Sequence, residues 1–343
     1  MFGRIRATIG FSVLLGLLLL CSGPTVASEL GKDWTQATSS VAWGRRWWHK
    51  AVVYNGKMWV MGGYDHFGDV WYSSDGTSWT RTIEGSRATD YNDYAAVVFN
   101  GKIWTLGSSL GREVYNSTDG KTWTRVLPDP PWAPRSYAGA VVHNGKIWIL
   151  GGVDLLHGMV YRNDVWNSAD GIHWTSVAAW TSWYPRYGHQ ALSFDGKLWV
   201  LGGYFHYGSW DGLSTDVWYS YDGISWKIAA YGRPYGLTGE MAVTTTARRI
   251  WMIGGALCTV LGDVVEPLNE VLYSNDGSSW QYATTAAPWE RRTDAAVVVF
   301  KQRLWILGGL CWRLGPSGWY TTPTADVWYS PIPASASAWK LYP

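Results

Sequence analysis

Ala51-Val-Val-Tyr-Asn-Gly-Lys-Met-Trp-Val-Met-Gly-Gly-Tyr-Asp65, then Asp69-Val-Trp-Tyr-Ser-Ser-Asp-Gly-Thr-Ser-Trp-Thr80, is the stretch whose reading decides the fold. It holds four short β-like runs. Ala51 to Tyr54 is continuously apolar, as a strand buried on both faces would be. Lys57 to Met61 returns across Asn55-Gly56, a dipeptide that tolerates the positive φ of a tight hairpin. Val70 to Ser73 leads into Asp75-Gly76, a second hairpin signal, and a fourth run starts at Trp79. One unit is therefore expected to be a four-stranded antiparallel meander.

The unit recurs along the 343 residues. The turn into the second strand with its tryptophan stands at Asn55-Gly56…Trp59, Asn100-Gly101…Trp104, Asn144-Gly145…Trp148 and Asp195-Gly196…Trp199. It decays to Arg248-Arg249…Trp251 and Gln302-Arg303…Trp305. A glycine pair follows that strand at Gly62-Gly63, Gly151-Gly152, Gly202-Gly203, Gly254-Gly255 and Gly308-Gly309, with Gly107-Ser108 in the second copy. An Asp-Gly-x-x-Trp turn stands at Asp75, Asp119, Asp170, Asp222 and Asp276, and Ser335 to Trp339 is a degraded sixth copy. Successive second-strand tryptophans lie about 44 to 54 residues apart, the spacing of propeller blades.

A strand ending in Gly-Gly, a spacer and an aromatic on the next strand resemble the kelch repeat, and the copies cover nearly all of the chain after residue 30. The resemblance implies an all-β fold: a six-bladed β-propeller of four-stranded antiparallel kelch-like blades over residues 28–343. It says little about function, because kelch propellers include binding proteins, a copper oxidase and a sialic acid epimerase. The oxidase's copper needs two His and two Tyr, one of them cross-linked to Cys, and no stretch here matches those motifs. The epimerase is closer in size, export and blade number, but its active residues cannot be placed on this chain.

Residues 1–27 read as a secretory signal: Arg4 and Arg6 form a basic head, Phe11 to Leu20 an apolar core too short to span a bilayer comfortably, and Thr25-Val26-Ala27 a small-residue cleavage site near Ala27. Lipid attachment at Cys21 is disfavoured by the bulky Leu20 before it. The mature chain is thus expected to be secreted or periplasmic, and a monomer. Without Arg4 and Arg6 the formal charge of +2 falls to about neutral. There is no basic run, which argues against nucleic acid, and no second apolar segment long enough to span a membrane.

The 27 tryptophans invite a carbohydrate-binding reading, but most occupy three repeated positions and are expected to pack between sheets. Trp47, Trp48, Trp132, Trp180, Trp183, Trp210, Trp289, Trp312 and Trp319 break that register and carry the recognition signal. The Asp-Gly turns resemble the Asp-box of sialidases one residue short, and their aspartates read as turn caps.

In a meander of this order the tight Asn-Gly and Asp-Gly turns share one end of the ring. The second-to-third-strand links and the links between blades share the other, and this loop-rich face is where function is expected. Val153 to Asn163, Tyr204 to Thr215, Ala256 to Asn269 and Leu310 to Ala325 make tall walls there; Tyr64 to Gly68 is short. Arg46, Arg135, Arg186 and Arg292 precede first strands, with Asp90, Asp93, Glu240, Asp294, His49 and His189 in comparable segments. Two readings stand: internal Arg–carboxylate pairs tying blades together, or an anion-binding mouth rimmed by Trp47, Trp48, Tyr187, Tyr204, Trp210, Trp312 and Trp319. Cys258 and Cys311 are expected to join two long loops by a disulfide, the alternative being two free thiols. Neither has zinc-site spacing, and no metal or cofactor is expected.

The function expected is non-catalytic binding of a glycan or protein on the loop-rich face. The rivals are a carbohydrate-active enzyme of epimerase or lyase type, with Glu240 as a candidate general base, and a structural envelope protein.

Overall fold

The computed structural model describes residues 30–332 apart from 91–92, 109–110, 209, 232–237, 240, 259–263 and 316–317. The expected leader at residues 1–27 and the stretch Ser335 to Leu341 lie outside the described residues. The chain is all-β, with several four-stranded antiparallel sheets, the architecture of a β-propeller. The first sheet is the quoted stretch, with Lys50–Tyr54, Lys57–Met61, Val70–Ser73 and Thr80–Ile83 paired in chain order. The same order recurs in the sheets that start at Ala95–Phe99, Gly139–His143, Gln190–Phe194 and Ala242–Thr246. Each starting strand touches that of the next sheet. The series runs on to Ala296–Phe300, which contacts both Ala242–Thr246 and Lys50–Tyr54, so the inner strands form a closed circle.

The last sheet takes its outer strand from the other end of the chain. Ala296–Phe300, Arg303–Gly315 and Gly318–Pro331 are completed by Thr35–Thr38, antiparallel to Gly318–Pro331. Thr35–Thr38 thus takes the fourth place in this sheet and covers an edge that would otherwise offer unpaired N–H and C=O groups. The join copies the local turn chemistry. In the first five sheets a serine Oγ accepts from the glycine N–H of the Asp-Gly turn, as Ser73 does from Gly76 at 2.8 Å. At the closure Ser330 Oγ accepts from Gly31 N–H at 2.8 Å, and Trp34 Nε1 donates to the Gly31 carbonyl as Trp79 does to that of Gly76.

The tryptophans explain why those glycines are needed. A Cβ on Gly120 would lie 2.0 Å from the Trp59 ring, and one on Gly76 2.2 Å from Trp305. Gly171 meets Trp104 in the same way, Gly223 meets Trp148, Gly277 meets Trp199 and Gly31 meets Trp251. Each second-strand indole thus lies against the turn glycine of a neighbouring sheet, and the core is a set of apolar wedges between sheets. The hairpin turns are left-handed at both residues, at Asn55-Gly56, Asn100-Gly101, Asn144-Gly145 and Asp195-Gly196. In the last sheet the turn is Lys301-Gln302, with φ 46° and 55°, one residue earlier than the expected Gln302-Arg303. The fifth sheet shows the same shift, its turn falling on Ala247-Arg248.

The tall walls are hairpins that run past the sheets. Lys146–Asp154 with Val160–Ser168, and Arg303–Gly315 with Gly318–Pro331, continue beyond the glycine pairs. Tyr204–Tyr207 and Trp210–Leu213 form a separate three-stranded sheet with Arg186–Tyr187, and Ala256–Cys258 and Val264–Pro267 do so with Thr238–Gly239.

Candidate functional site at the mouth of the central cavity

The four linker arginines follow the first of their two readings. Arg186 donates from Nη1 to Asp216 Oδ1 at 2.6 Å, from Nη2 to Asp216 Oδ2 at 3.0 Å and from Nη1 to the Gly202 carbonyl at 2.9 Å. Arg46 is held in the same fork by Asp69 and the Gly62 carbonyl, Arg135 by Asp164 and Gly151, and Arg292 by Asp326 and Gly308. All four guanidiniums are buried, and each lies 5.3–5.6 Å from an indole three residues earlier in the chain: Trp43, Trp132, Trp183 or Trp289. The partner aspartate also accepts from an indole Nε1 two residues on, that of Trp71, Trp166, Trp218 or Trp328. Burial works against the charge on Asp216, but the Arg186 hydrogen bonds and charge outweigh it and hold its pKa below the usual carboxylate range. An anion-binding mouth built on these arginines therefore loses its basis. So does a recognition role for Trp132, Trp183 and Trp289, which are among the most buried side chains of the molecule.

What the arginines do is position the mouth. They contact the glycine-pair carbonyls, so they stand at the loop-rich end. Two residues after each one, the backbone turns left-handed, at Trp48 (φ 57°), Tyr137 (φ 52°), Gly188 (φ 67°) and Asp294 (φ 54°). Only the glycine adopts that conformation freely; each of the others costs roughly 1–2 kcal/mol. The kinks join neighbouring linkers through their backbones. Trp48 N–H donates to the Asp294 carbonyl at 3.3 Å, Tyr137 N–H to that of Asp93 at 2.8 Å, and Gly188 N–H to that of Tyr137 at 2.9 Å.

Inside this rim lies a cavity of about 650 Å³. Its inner wall is small and apolar, made by first-strand residues such as Ala51, Ala95, Ala140, Ala191, Ala242 and Ala296. Its rim is aromatic, and the rings touch one another: Trp48 to Tyr137 at 6.1 Å between centroids, Tyr137 to Tyr187 at 5.9 Å, and Tyr187 stacked on Tyr204 at 5.4 Å. Trp47 and Tyr64, stacked at 4.4 Å, extend the arc outward on one side. Its polar lining includes Lys50, Gln190 and Asp294.

Burial lowers the pKa of Lys50, with the Asp93 and Asp294 carboxylates opposing the shift. Burial, then Asp93, pushes the Tyr137 phenol up to about 12. His49 and His189, also on the wall, are held neutral. Burial, then the Arg186 charge, draws His189 down to about 3; burial, then Arg46, draws His49 well below its ordinary value.

Of the candidate residues, the fold brings together Trp48, His49, His189, Tyr204 and Asp294 at this cavity. Asp90 stands apart, in a small pocket with Arg87, Glu113 and Tyr115. Trp312 is on the closing hairpin, its Nε1 donating to Thr293 Oγ1 at 3.4 Å. Trp180 is 80% exposed on the surface. Glu240 and the side chains of Trp210, Trp319 and Cys258 lie outside the described residues. Cys311 is a buried free thiol, so the expected disulfide is not formed, and burial pushes its pKa up to about 12. Lys50 and Tyr137 are not singled out by the sequence. Their signal is positional: Tyr137 shares the Arg-plus-two position with Trp48, and Lys50 opens the adjoining strand.

Among the described residues no cluster of three or more His, Cys, Asp or Glu could hold a metal ion, and no helix is long and apolar enough to cross a membrane. No protein-family model matches the chain, and no curated protein matches it. Among solved structures it is similar to that titled "Structure of YjhT", with a TM-score of 0.63 and 12% identity over 81% of this chain and 97% of that one. At that identity the likeness speaks for the fold alone, and it supports a β-propeller.

Proposed function

We propose that the chain is an exported, six-bladed, kelch-type propeller that binds a glycan, without transforming it, in the cavity at its loop-rich face. The observation that carries this reading is the continuous aromatic arc of Trp48, Tyr137, Tyr187 and Tyr204 around a cavity of about 650 Å³ with polar groups in its wall. That volume lies in the range of small-ligand sites and suits one to a few sugar rings. The apolar C–H faces of a sugar stack on aromatic rings, while its hydroxyls exchange hydrogen bonds with Lys50, Gln190 and Asp294. A concave, small-walled pocket favours this ligand over a protein surface. The left-handed Trp48 and Tyr137 fit the same reading, since strained backbone tends to gather where a site is pre-organised.

The test is a glycan array followed by calorimetry on the hits. Trp48→Ala and Tyr187→Ala should each weaken binding by about thirtyfold or more, the effect of losing an aromatic anchor. Glycan binding unchanged in both variants would reject the site. N-terminal sequencing of the exported protein should begin near residue 28.

One observation favours a second reading, catalysis on the bound sugar: a lysine of lowered pKa between two acids beside a cavity is a common active-site arrangement. Product analysis by NMR, with Lys50→Gln as the control, separates the two.

A further inference from the structure

The wall around the cavity is uneven. In the third and sixth sheets the second strand runs past the glycine pair, to Asp154 and to Gly315, and in the fourth and fifth the same link folds into an extra hairpin. In the first sheet Lys57–Met61 stops before Gly62-Gly63, and Val70–Ser73 resumes after a short loop. The mouth is therefore low on that side.

A row of aromatic rings crosses the low wall. From Trp48 on the cavity rim it passes to Trp47 at 6.2 Å between centroids, then to Tyr64 at 4.4 Å and to Phe67 at 6.3 Å. The row grows more exposed outward: Trp47 is half-buried, whereas Tyr64 is 41% and Phe67 46% exposed. Single exposed apolar side chains are ordinary, but a contiguous run leading out of a cavity marks a contact surface. The loop that carries it is braced from both sides. Tyr64 N–H donates to the Trp47 carbonyl at 3.0 Å and Gly68 N–H to that of Thr89 at 2.9 Å, while Ser86 N–H donates to the Gly68 carbonyl at 2.8 Å. Rings held in place in this way cost little ordering entropy when a ligand uses them. On the tall wall of the third sheet the exposed apolar residues Leu155, Leu156 and Met159 are aliphatic, with no flat face for a sugar to stack on.

We propose that the site takes an extended, unbranched glycan chain, one end in the cavity and the rest leaving over the first sheet along Trp47, Tyr64 and Phe67. The proposal rests on the glycan-binding reading and adds the size and shape class of the ligand. Equatorial linkages keep such a chain straight, so its successive rings lie along a row of aromatic faces instead of folding back. Arg45 and Asp65, both exposed and next to these rings in the chain, supply partners for its hydroxyl groups.

The test is calorimetry with two equatorially linked ladders, cellobiose to cellohexaose and chitobiose to chitohexaose. In at least one of them the hexamer should bind at least about tenfold tighter than the trimer. Tyr64→Ala and Phe67→Ala should each narrow that ratio to about threefold or less. Both rings are exposed, so the melting temperature should stay close to that of the parent. Phe67→Leu keeps apolar bulk without a ring face and should behave as Phe67→Ala does. Equal binding of trimer and hexamer would overturn the track and leave the cavity reading standing. A tenfold gain that survives in Tyr64→Ala and Phe67→Ala, or in Phe67→Leu, would do the same. Short or branched glycans bound on the array, with neither ladder bound, would overturn the chain assignment alone. No binding on the array or to either ladder would overturn the glycan reading and this inference with it.

Discussion

Arg186 shows how one residue type serves as scaffold here while framing the mouth of the cavity. Its guanidinium is buried, doubly bonded to Asp216 and capped by the Gly202 carbonyl. A buried pair of this kind adds little net stability over an apolar pair of the same size, but removing one partner strands the other charge. Arg186→Met should therefore lower stability by about 3–5 kcal/mol in denaturant unfolding, and adding Asp216→Leu should recover much of that loss. If the single variant lost no more than about 0.5 kcal/mol, the value of an ordinary surface change, the pair would not be the strut described. His189 provides a pH test. Its pKa in the fold, about 3, lies below the unfolded value of about 6.5. Its stabilising contribution is complete above pH 6.5 and is lost as pH falls toward 3, because the unfolded chain takes up the proton first. The parent's stability should fall between pH 6.5 and pH 4.5, and His189→Gln should flatten that slope; equal slopes would contradict the assignment.

At the scale of elements, turn glycines are not equivalent. Gly101 and Gly120 have the same φ of 66°, but a Cβ on Gly101 meets nothing within 4 Å, whereas one on Gly120 strikes Trp59. Gly101→Ala should cost about 1 kcal/mol from backbone strain alone, and Gly120→Ala at least about 2 kcal/mol more from overpacking. Equal losses would mean that the indole does not sit on the turn. The Asp-Gly turns also extend the acid response. At Asp276 burial opposes ionisation, but the Ser279 and Ser278 N–H groups outweigh it and draw the pKa to about 2. This contribution is complete above the ordinary carboxylate range and fades as pH drops from about 4 toward 2.

These elements are legible in sequence because they repeat. Asn-Gly, Gly-Gly and Asp-Gly-x-x-Trp stand in register and set the strands, turns and loop-rich face. What repeats less visibly misleads. Trp132, Trp183 and Trp289 break the three indole registers, yet together with Trp43 they form a fourth, three residues before each arginine. The partners Asp69, Asp164, Asp216 and Asp326 stand beside tryptophans already aligned, but the pairing spans 23 to 34 residues and no local pattern announces it. Gly31 closes the last sheet with half of the turn signature, because Ser330 reaches it from the far end of the chain. The cavity residues are hardest to find, since Lys50 and Tyr137 acquire their meaning only where neighbouring sheets meet.

For the whole molecule, the closure and the cavity are built from the same strands. The strand Thr35–Thr38 covers the outer edge of Gly318–Pro331. A chain beginning after residue 39 should expose that edge, and light scattering should show more self-association than in the parent; no increase would contradict the closure. The inner strands that complete the circle also make the small-residue wall of the cavity, and the linkers that brace them carry its aromatic rim. One end of the molecule is thus tight turns, and the other is a framed opening. The measurement that tests this account most directly is a crystal structure of the protein with its tightest-binding oligosaccharide. The account predicts a sugar ring in the cavity, against Trp48, Tyr137 or Tyr187 and within hydrogen-bond reach of Lys50 or Asp294. A ligand seated on the tight-turn end or the outer edge of the sheets, with the cavity untouched, would contradict it.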